Sequence, residues 1–353
     1  MTPLPVTHQA PAAPQILARC RDLVRPALAQ AVRQLHPWHA EMAAFAVGWD
    51  ATDGSPVPGS QGKGVRQALT LLGAEAAGGA ADEAVVGAVA VELIHVFSLL
   101  HDDIMDGGET RRQRATVWKT YGTGPAILAG DALFALAVQT LADAPGGHSA
   151  AAVRHLAGTL TDLVRGQAED LLFESRPWTG PEAVQPHEYR CMTGHKTGAL
   201  LGCAAGLGAV LAGAPATTVD ALAGAGRHLG VAFQAVDDLL GIWGDPQVTG
   251  KTVHNDLRRR KKTYPVLAAL ATNHTAALHL AGLLGTGTGA PLDAASARRA
   301  ADLVEEAGGR SATLAEAHRH LDSARRSLEA VALAPDALGE ILALLPFLVD
   351  RTM

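Results

Sequence analysis

Aromatic side chains are scarce in this chain, at 4% of 353 residues, charged residues reach only 18%, and the formal net charge is −6. That composition excludes the broadly basic, aromatic-interleaved surface that nucleic acid requires, so any attraction for anions must be local. Cysteine is nearly absent: Cys20, Cys191 and Cys203 are an odd trio without metal-ligand spacing, which excludes a disulfide framework and fits a reduced, cytoplasmic protein. A basic start followed by an apolar stretch and a cleavage site is missing too. The opening MTPLPVTHQAPAAP instead predicts a disordered Pro/Ala lead-in over residues 1–14. The stretch that invites a membrane reading, Ala199 to Ala216, is built from Gly and Ala more than Leu and Ile and predicts a buried helix, so no membrane span is expected.

Alternating Val/Ile/Thr runs and internal repeats are also lacking. What remains is a set of long Ala- and Leu-rich segments punctuated by Gly and Pro at 76–79, 144–147 and 212–215. The class this predicts is all-α. With 48% hydrophobic residues a substantial core is available, and residues 15–353 are expected to form a single helical domain.

Two apolar segments of helical length carry paired aspartates, DDIMD from Asp102 and DDLLG from Asp237. On a helix Asp106 lies about 40° from Asp102, and His95 falls about 20° off the same line. Two carboxylates about 6 Å apart repel by roughly 3 kcal/mol at an effective dielectric of 20, and Asp103 adds to it, so a partly buried cluster calls for cations. Mg²⁺ shared with a phosphate suits one or two carboxylates plus substrate oxygens. Arg111 and Arg112 follow closely enough to bind the same phosphate in bidentate fashion. DDIMD alone leaves open a blander reading, a solvated acidic helix end beside a surface arginine pair.

In the second segment Gln234, Asp237, Asp238 and Gly241 share one helical face behind the apolar run GVAFQAV, where carboxylates are costly unless paired or metal-bound. Lys196 with Thr197, Lys251 and Lys261 are further candidates for phosphate contact, each also readable singly as a solvated lysine. The turn-rich loop at 48–62 leads into GKGVR, and Gly-rich loops before basic residues often meet phosphate. The stretch LRRRKKTYP reverses the charge of a net-acidic protein and needs a reason. Gln167 and Asp170, one turn apart in RGQAEDLL, carry no meaning alone.

In order and spacing these motifs resemble the trans-isoprenyl diphosphate synthase (polyprenyl synthetase) family, over about Gly48 to Thr263. The resemblance implies an orthogonal helical bundle of the isoprenoid synthase type with a central cavity, and a homodimer. GKGVR is similar to the family's first basic motif, which implies that Lys63, Arg66, His95 and Arg112 hold isopentenyl diphosphate. LLHDDIMDGGETRR resembles the first aspartate-rich motif, with Asp102 and Asp106 as metal ligands, Asp103 in support and Arg111 on the allylic diphosphate. By the same resemblance Gln167, Asp170, Lys196, Thr197, Gln234, Lys251 and Lys261 surround that diphosphate. Asp237, supported by Asp238, binds the last of three Mg²⁺ ions.

Two positions depart from the pattern. Gly241 stands where a third aspartate is usual, with Asp245 one turn later but beyond a helix end expected near Gly244, and Gln67 stands where proline is usual. The reaction implied is Mg²⁺-assisted ionisation, condensation and deprotonation on a short-chain substrate. Ser98, one turn before Asp102, and the preceding Phe97 resemble the chain-length pocket of members that make a C20 chain, geranylgeranyl diphosphate. A class I terpene cyclase and a non-catalytic partner subunit are the rival readings. The cyclase needs no second diphosphate site, and Gly241 is what suggests the partner subunit.

Overall fold

A computed structural model describes residues 11–49, 62–111, 113–246, 253–285 and 290–349. Most of the lead-in and of the 48–62 loop, together with Arg112 and Lys251, lies outside them.

The chain folds as α1 (Ala13–Val32), α2 (Pro37–Val47), α3 (Val65–Ala76), α4 (Val85–Met105), a two-residue ladder of β1 (Thr110–Arg111) and β2 (Arg114–Ala115), α5 (Val117–Tyr121), α6 (Thr123–Ala142), α7 (Ser149–Ser175), α8 (Pro186–Thr193), α9 (Ala199–Leu211) and α10 (Ala216–Trp243). Further helices follow: α11 (Asn255–Arg258), α12 (Tyr264–Leu270), α13 (Thr275–Gly285), α14 (Ala294–Glu306), α15 (Gly309–Glu329) and α16 (Pro335–Val349). The ends follow local chemistry. Pro37 occupies the first turn of α2 while Gly48, at φ 85°, closes it in the left-handed region. Pro186 opens α8, and the Glu188 carboxylate accepts from the backbone N–H of Gln185.

The scarcity of aromatics is answered by close helix crossings. A Cβ added at Gly73 in α3 would stand 2.2 Å from the Ala205 carbonyl oxygen, and one at Gly208 in α9 would stand 2.0 Å from that of Thr70. Each helix therefore supplies the glycine that the other's backbone needs. The main core gathers α1, α3, α4, α6, α9 and α10, and a second cluster joins Ile242 and Leu257 to Val266 and α13–α14.

The stretch 199–216 is a buried helix as read, though it stops at Leu211 and Gly213 turns the chain, at φ 69°, into α10. Two other helices, Ala81–Met105 with its leading 3₁₀ turn and Thr123–Ala142, are long and apolar enough to cross a membrane by length and composition. They are α4 and α6, packed on each other within the bundle. The second leaves Ile127, Leu128 and Phe134 exposed.

Candidate active site

The first aspartate motif occupies the last turn of α4, where Asp106 caps the helix and Gly107, at φ 61°, ends it. Asp106 faces a cavity of about 550 Å³. Asp170 of α7 and Asp237 and Asp238 of α10 line the same cavity, so the two acidic segments stand on its walls. Burial raises the pKa of Asp102, and neighbouring Asp106 adds to it, against the opposing charge of Lys196.

Lys196 joins two walls: its Nζ lies 2.7 Å from Asp170 Oδ2 and 3.9 Å from Asp102 Oδ1. Burial works against its charge, but Asp102 and Asp170 outweigh burial and hold its pKa above the ordinary value. The lysine sits in a single π-helical turn, Gly194–Gly198, a form that recurs at functional sites. Gly166 of α7 lets that turn approach, since a Cβ there would stand 2.4 Å from the Lys196 backbone nitrogen. Next in sequence, Thr197 donates from Oγ1 to Gln234 Oε1 at 3.0 Å. Lys261 Nζ is 3.3 Å from Asp106 Oδ2, and Arg259 Nη2 donates to the Asp106 carbonyl at 2.9 Å.

Asp238 is 2% exposed and accepts from Gln234 Nε2 at 2.9 Å, Tyr189 Oη at 2.8 Å and the Tyr264 backbone N–H at 3.1 Å. Burial pushes its pKa up to about 7 against those donors. Asp238 is thus held by three protein donors, while its neighbour Asp237 lines the same cavity with less cover.

Some expected residues are placed elsewhere. Arg111 does not line this cavity; it is clamped on Asp103, with Nη2 2.9 Å and Nε 3.1 Å from Oδ1. The turn between β1 and β2, with Gln113 at φ 63°, leaves the two residues lining a small separate pocket with Phe45 and Arg114. Gln167 makes a long contact, 3.9 Å, with Met105 Sδ instead of bordering the cavity. Neither Phe97 nor Ser98 is in its wall. The Phe97 ring packs 5.6 Å from Phe134 and 4.7 Å from His101, and Ser98 Oγ donates to the His95 carbonyl at 2.8 Å.

His95 shares a stripe with the aspartates but not their cavity. It lies about 10 Å back along α4 and lines a pocket of about 50 Å³ with Arg21, Arg25, Gly62, Gly64 and Gln67. Arg66 Nη1 is 3.3 Å from His95 Nε2, while Lys63 Nζ lies over the Phe347 ring at 5.3 Å. Gln67, the replacement for proline, buries its side chain in the first turn of α3, and its Oε1 has no hydrogen-bond partner among the described residues.

Several lining residues went unassigned in the sequence: Arg259, Arg260, Lys262, Glu174, Tyr189 and Asp256. The basic run LRRRKKTYP was the available signal for the cations, since its charge reversal is explained by four of its basic side chains bordering a cavity that carboxylates also line.

Among the described residues no three His, Cys, Asp or Glu side chains form a ready-made metal cage. Carboxylates on facing walls, with lysines between them, fit Mg²⁺, which takes one or two carboxylates plus phosphate oxygens in preference to an all-protein cage.

Residues 56–300 match the polyprenyl synthetase family model. The chain is 42% identical over 337 residues to a Mycobacterium bovis (2E,6E)-farnesyl diphosphate synthase, covering 95% of this chain and 92% of that one. It is 44% identical over 325 residues to a Mycobacterium tuberculosis geranylgeranyl diphosphate synthase, covering 92% and 91%. The crystal structure of a Streptomyces coelicolor A3(2) polyprenyl synthetase superposes with a TM-score of 0.89 at 46% identity, over 95% of this chain and 99% of the other. Helical bundle, paired acidic walls and these likenesses agree: the chain belongs to the polyprenyl synthetase family and is a short-chain prenyl diphosphate synthase, a prenyltransferase.

Proposed function

We propose that the protein condenses isopentenyl diphosphate with an allylic diphosphate (dimethylallyl, geranyl or farnesyl) and that its product is the C20 compound geranylgeranyl diphosphate. The observation that carries the reading is the partition of charge along α4. At its C-terminal end is a roomy cavity in which lysines and arginines stand among carboxylates; about two turns back is a small pocket with Arg21, Arg25 and His95. Two basic sites on one helix suit two diphosphates, which favours a condensing enzyme over a cyclase.

In this reading Lys196, Lys261, Arg259, Arg260 and Lys262, with Lys251, receive the allylic diphosphate. His95, Arg66, Lys63 and Arg112 receive isopentenyl diphosphate. Asp102, Asp106, Asp170 and Asp237 hold Mg²⁺, three ions in all, and when bound Mg²⁺ supplies charge neutralisation of the diphosphate leaving group. The fixed cations do the same from the protein side: Lys196 and Lys261 are held by carboxylates, and Arg259, Arg260 and Lys262 donate to backbone carbonyls, before the C–O bond breaks, so little reorganisation accompanies charge development. The double bond of isopentenyl diphosphate then attacks C1 of the allylic cation, and the departing diphosphate takes the proton.

Product length rests on Ser98. Small and one turn before Asp102, it offers no bulk below the acids, and the Phe97 ring is drawn off toward Phe134 and His101. The exposed Ile127, Leu128 and Phe134 on α6 support a homodimer through that face.

The test is purified protein with Mg²⁺, labelled isopentenyl diphosphate and C5, C10 or C15 primers, followed by chromatography. Each primer is expected to yield C20. Products that stop at C15 defeat the length assignment, and no incorporation with any primer defeats the synthase reading. Ser98→Phe is expected to shorten the product by placing bulk one turn before Asp102; an unchanged distribution would show that the growing chain does not pass Ser98.

A further inference from the structure

The second acidic segment lacks a carboxylate at Gly241, and another element fills the space. A Cβ built on Gly241 would stand 1.9 Å from Asp256 Oδ2 and 2.6 Å from its Cγ. The Asp256 carboxylate therefore occupies the volume in which a side chain at 241 would begin. Any larger residue there would have to evict it.

The placement is enforced by the backbone. His254 returns to the end of α10, where its backbone N–H donates to the Ile242 carbonyl at 3.1 Å and its Nδ1 lies 2.7 Å from the same oxygen. His254 does this at φ 59°, in the left-handed region that non-glycine residues seldom adopt. The Lys261 N–H then donates to the Asp256 carbonyl at 2.9 Å, closing the turn around the aspartate. Asp245, the candidate nearer in sequence, is exposed beyond the end of the helix.

Asp256 is 9% exposed and lines the large cavity with Asp237. Among the described residues, the hydrogen bond to its carboxylate comes from Asn255 Nδ2 at a long 3.4 Å. A buried carboxylate so weakly satisfied is costly unless a cation completes it.

We infer that Asp256 supplies, from α11, the carboxylate that position 241 lacks, and that Gly241 is the clearance that lets it reach the metal-diphosphate site. This rests on the Mg²⁺ reading under Proposed function, and the experiment separates the two. The probe is inorganic diphosphate on the full-length protein, read as the rise in thermal midpoint during a Mg²⁺ titration.

Asp256→Asn is expected to raise the half-saturating Mg²⁺ concentration by about tenfold, the low end of the effect of losing a metal-supporting group, while the midpoint without Mg²⁺ stays near that of the parent. The exchange Gly241→Asp with Asp256→Gly, which moves the carboxylate onto α10, is expected to return it to within about threefold of the parent. A folded Asp256→Asn with unchanged half-saturation overturns the inference. Should Asp256→Asn not fold, the exchange variant decides: parental Mg²⁺ response supports the inference, whereas a weakened response or failure to fold overturns it. Asp237→Asn is the reference. If the parent itself shows no Mg²⁺-dependent response, the Mg²⁺ reading fails; if parent and Asp237→Asn differ while Asp256→Asn matches the parent, only the role of Asp256 fails.

Discussion

Tyr189 Oη donates a 2.8 Å hydrogen bond to Asp238 Oδ2, tying α8 to the second acidic segment in the cavity wall. Asp238 has two other donors, Gln234 Nε2 and the Tyr264 N–H, so its carboxyl is engaged by the protein, and Asp237 lines the cavity beside it. Tyr189→Phe keeps the ring packed against Tyr264 and removes only the hydroxyl. The expected loss is about 1–3 kcal/mol of stability, because a buried acceptor loses a partner. Denaturant unfolding checks it, and an unchanged midpoint would mean that Gln234 and Tyr264 suffice.

Lys196 is the cation most deeply committed to the site, since it neutralises Asp102 and Asp170 together. Lys196→Met retains the stem and deletes the charge. Removing one preorganised cation from a developing negative charge costs on the order of 10²-fold in rate. Steady-state incorporation of labelled isopentenyl diphosphate should fall by about that factor in kcat. A change confined to KM would instead assign the lysine to ground-state binding.

The all-α class and the acidic walls were legible because they depend on local periodicity: Asp102 and Asp106 share a face of α4, and Gln234, Asp237 and Asp238 follow one another on α10. What escaped depends on where the chain returns. Arg111 follows the aspartates closely enough to share their ligand, yet a two-residue ladder folds it onto Asp103. His95 sits on the right stripe but about two turns away, which is enough to place it in another pocket. Asp256 could not be assigned by spacing, because only the return of His254 to Ile242 sets it over Gly241.

The helix crossings separate two kinds of glycine. Gly73→Ala drives a Cβ to 2.2 Å from the Ala205 carbonyl, so α3 and α9 must part. A loss of roughly 3 kcal/mol or more is expected for such overpacking against backbone. Gly158→Ala, on the exposed face of α7 with no atom within 4 Å of the added carbon, is expected to gain about 0.5–1 kcal/mol from helix propensity. Thermal midpoints should therefore move in opposite directions. Equal shifts would show that the crossing is not constrained.

Glu316 of α15 lies behind the site, 2% exposed, and receives the Tyr264 hydroxyl at 3.3 Å while pairing with Arg190, Arg319 and His320. Burial alone would raise its pKa, but His320, Arg319 and Arg190 outweigh it and bring the carboxyl from 4.5 to about 2. A carboxylate whose pKa is depressed in the folded state contributes stability above its unfolded value and loses it as pH falls toward the folded one. Because Arg190 and Arg319 reach solvent and are screened, the contribution at neutral pH is set at roughly 2 kcal/mol. Glu316→Gln should therefore unfold more readily than the parent at pH 7, and the gap should narrow as pH drops from about 5 toward 2, where the parent's carboxylate takes up its proton. A gap that stays constant over that interval would assign the loss to packing instead of charge.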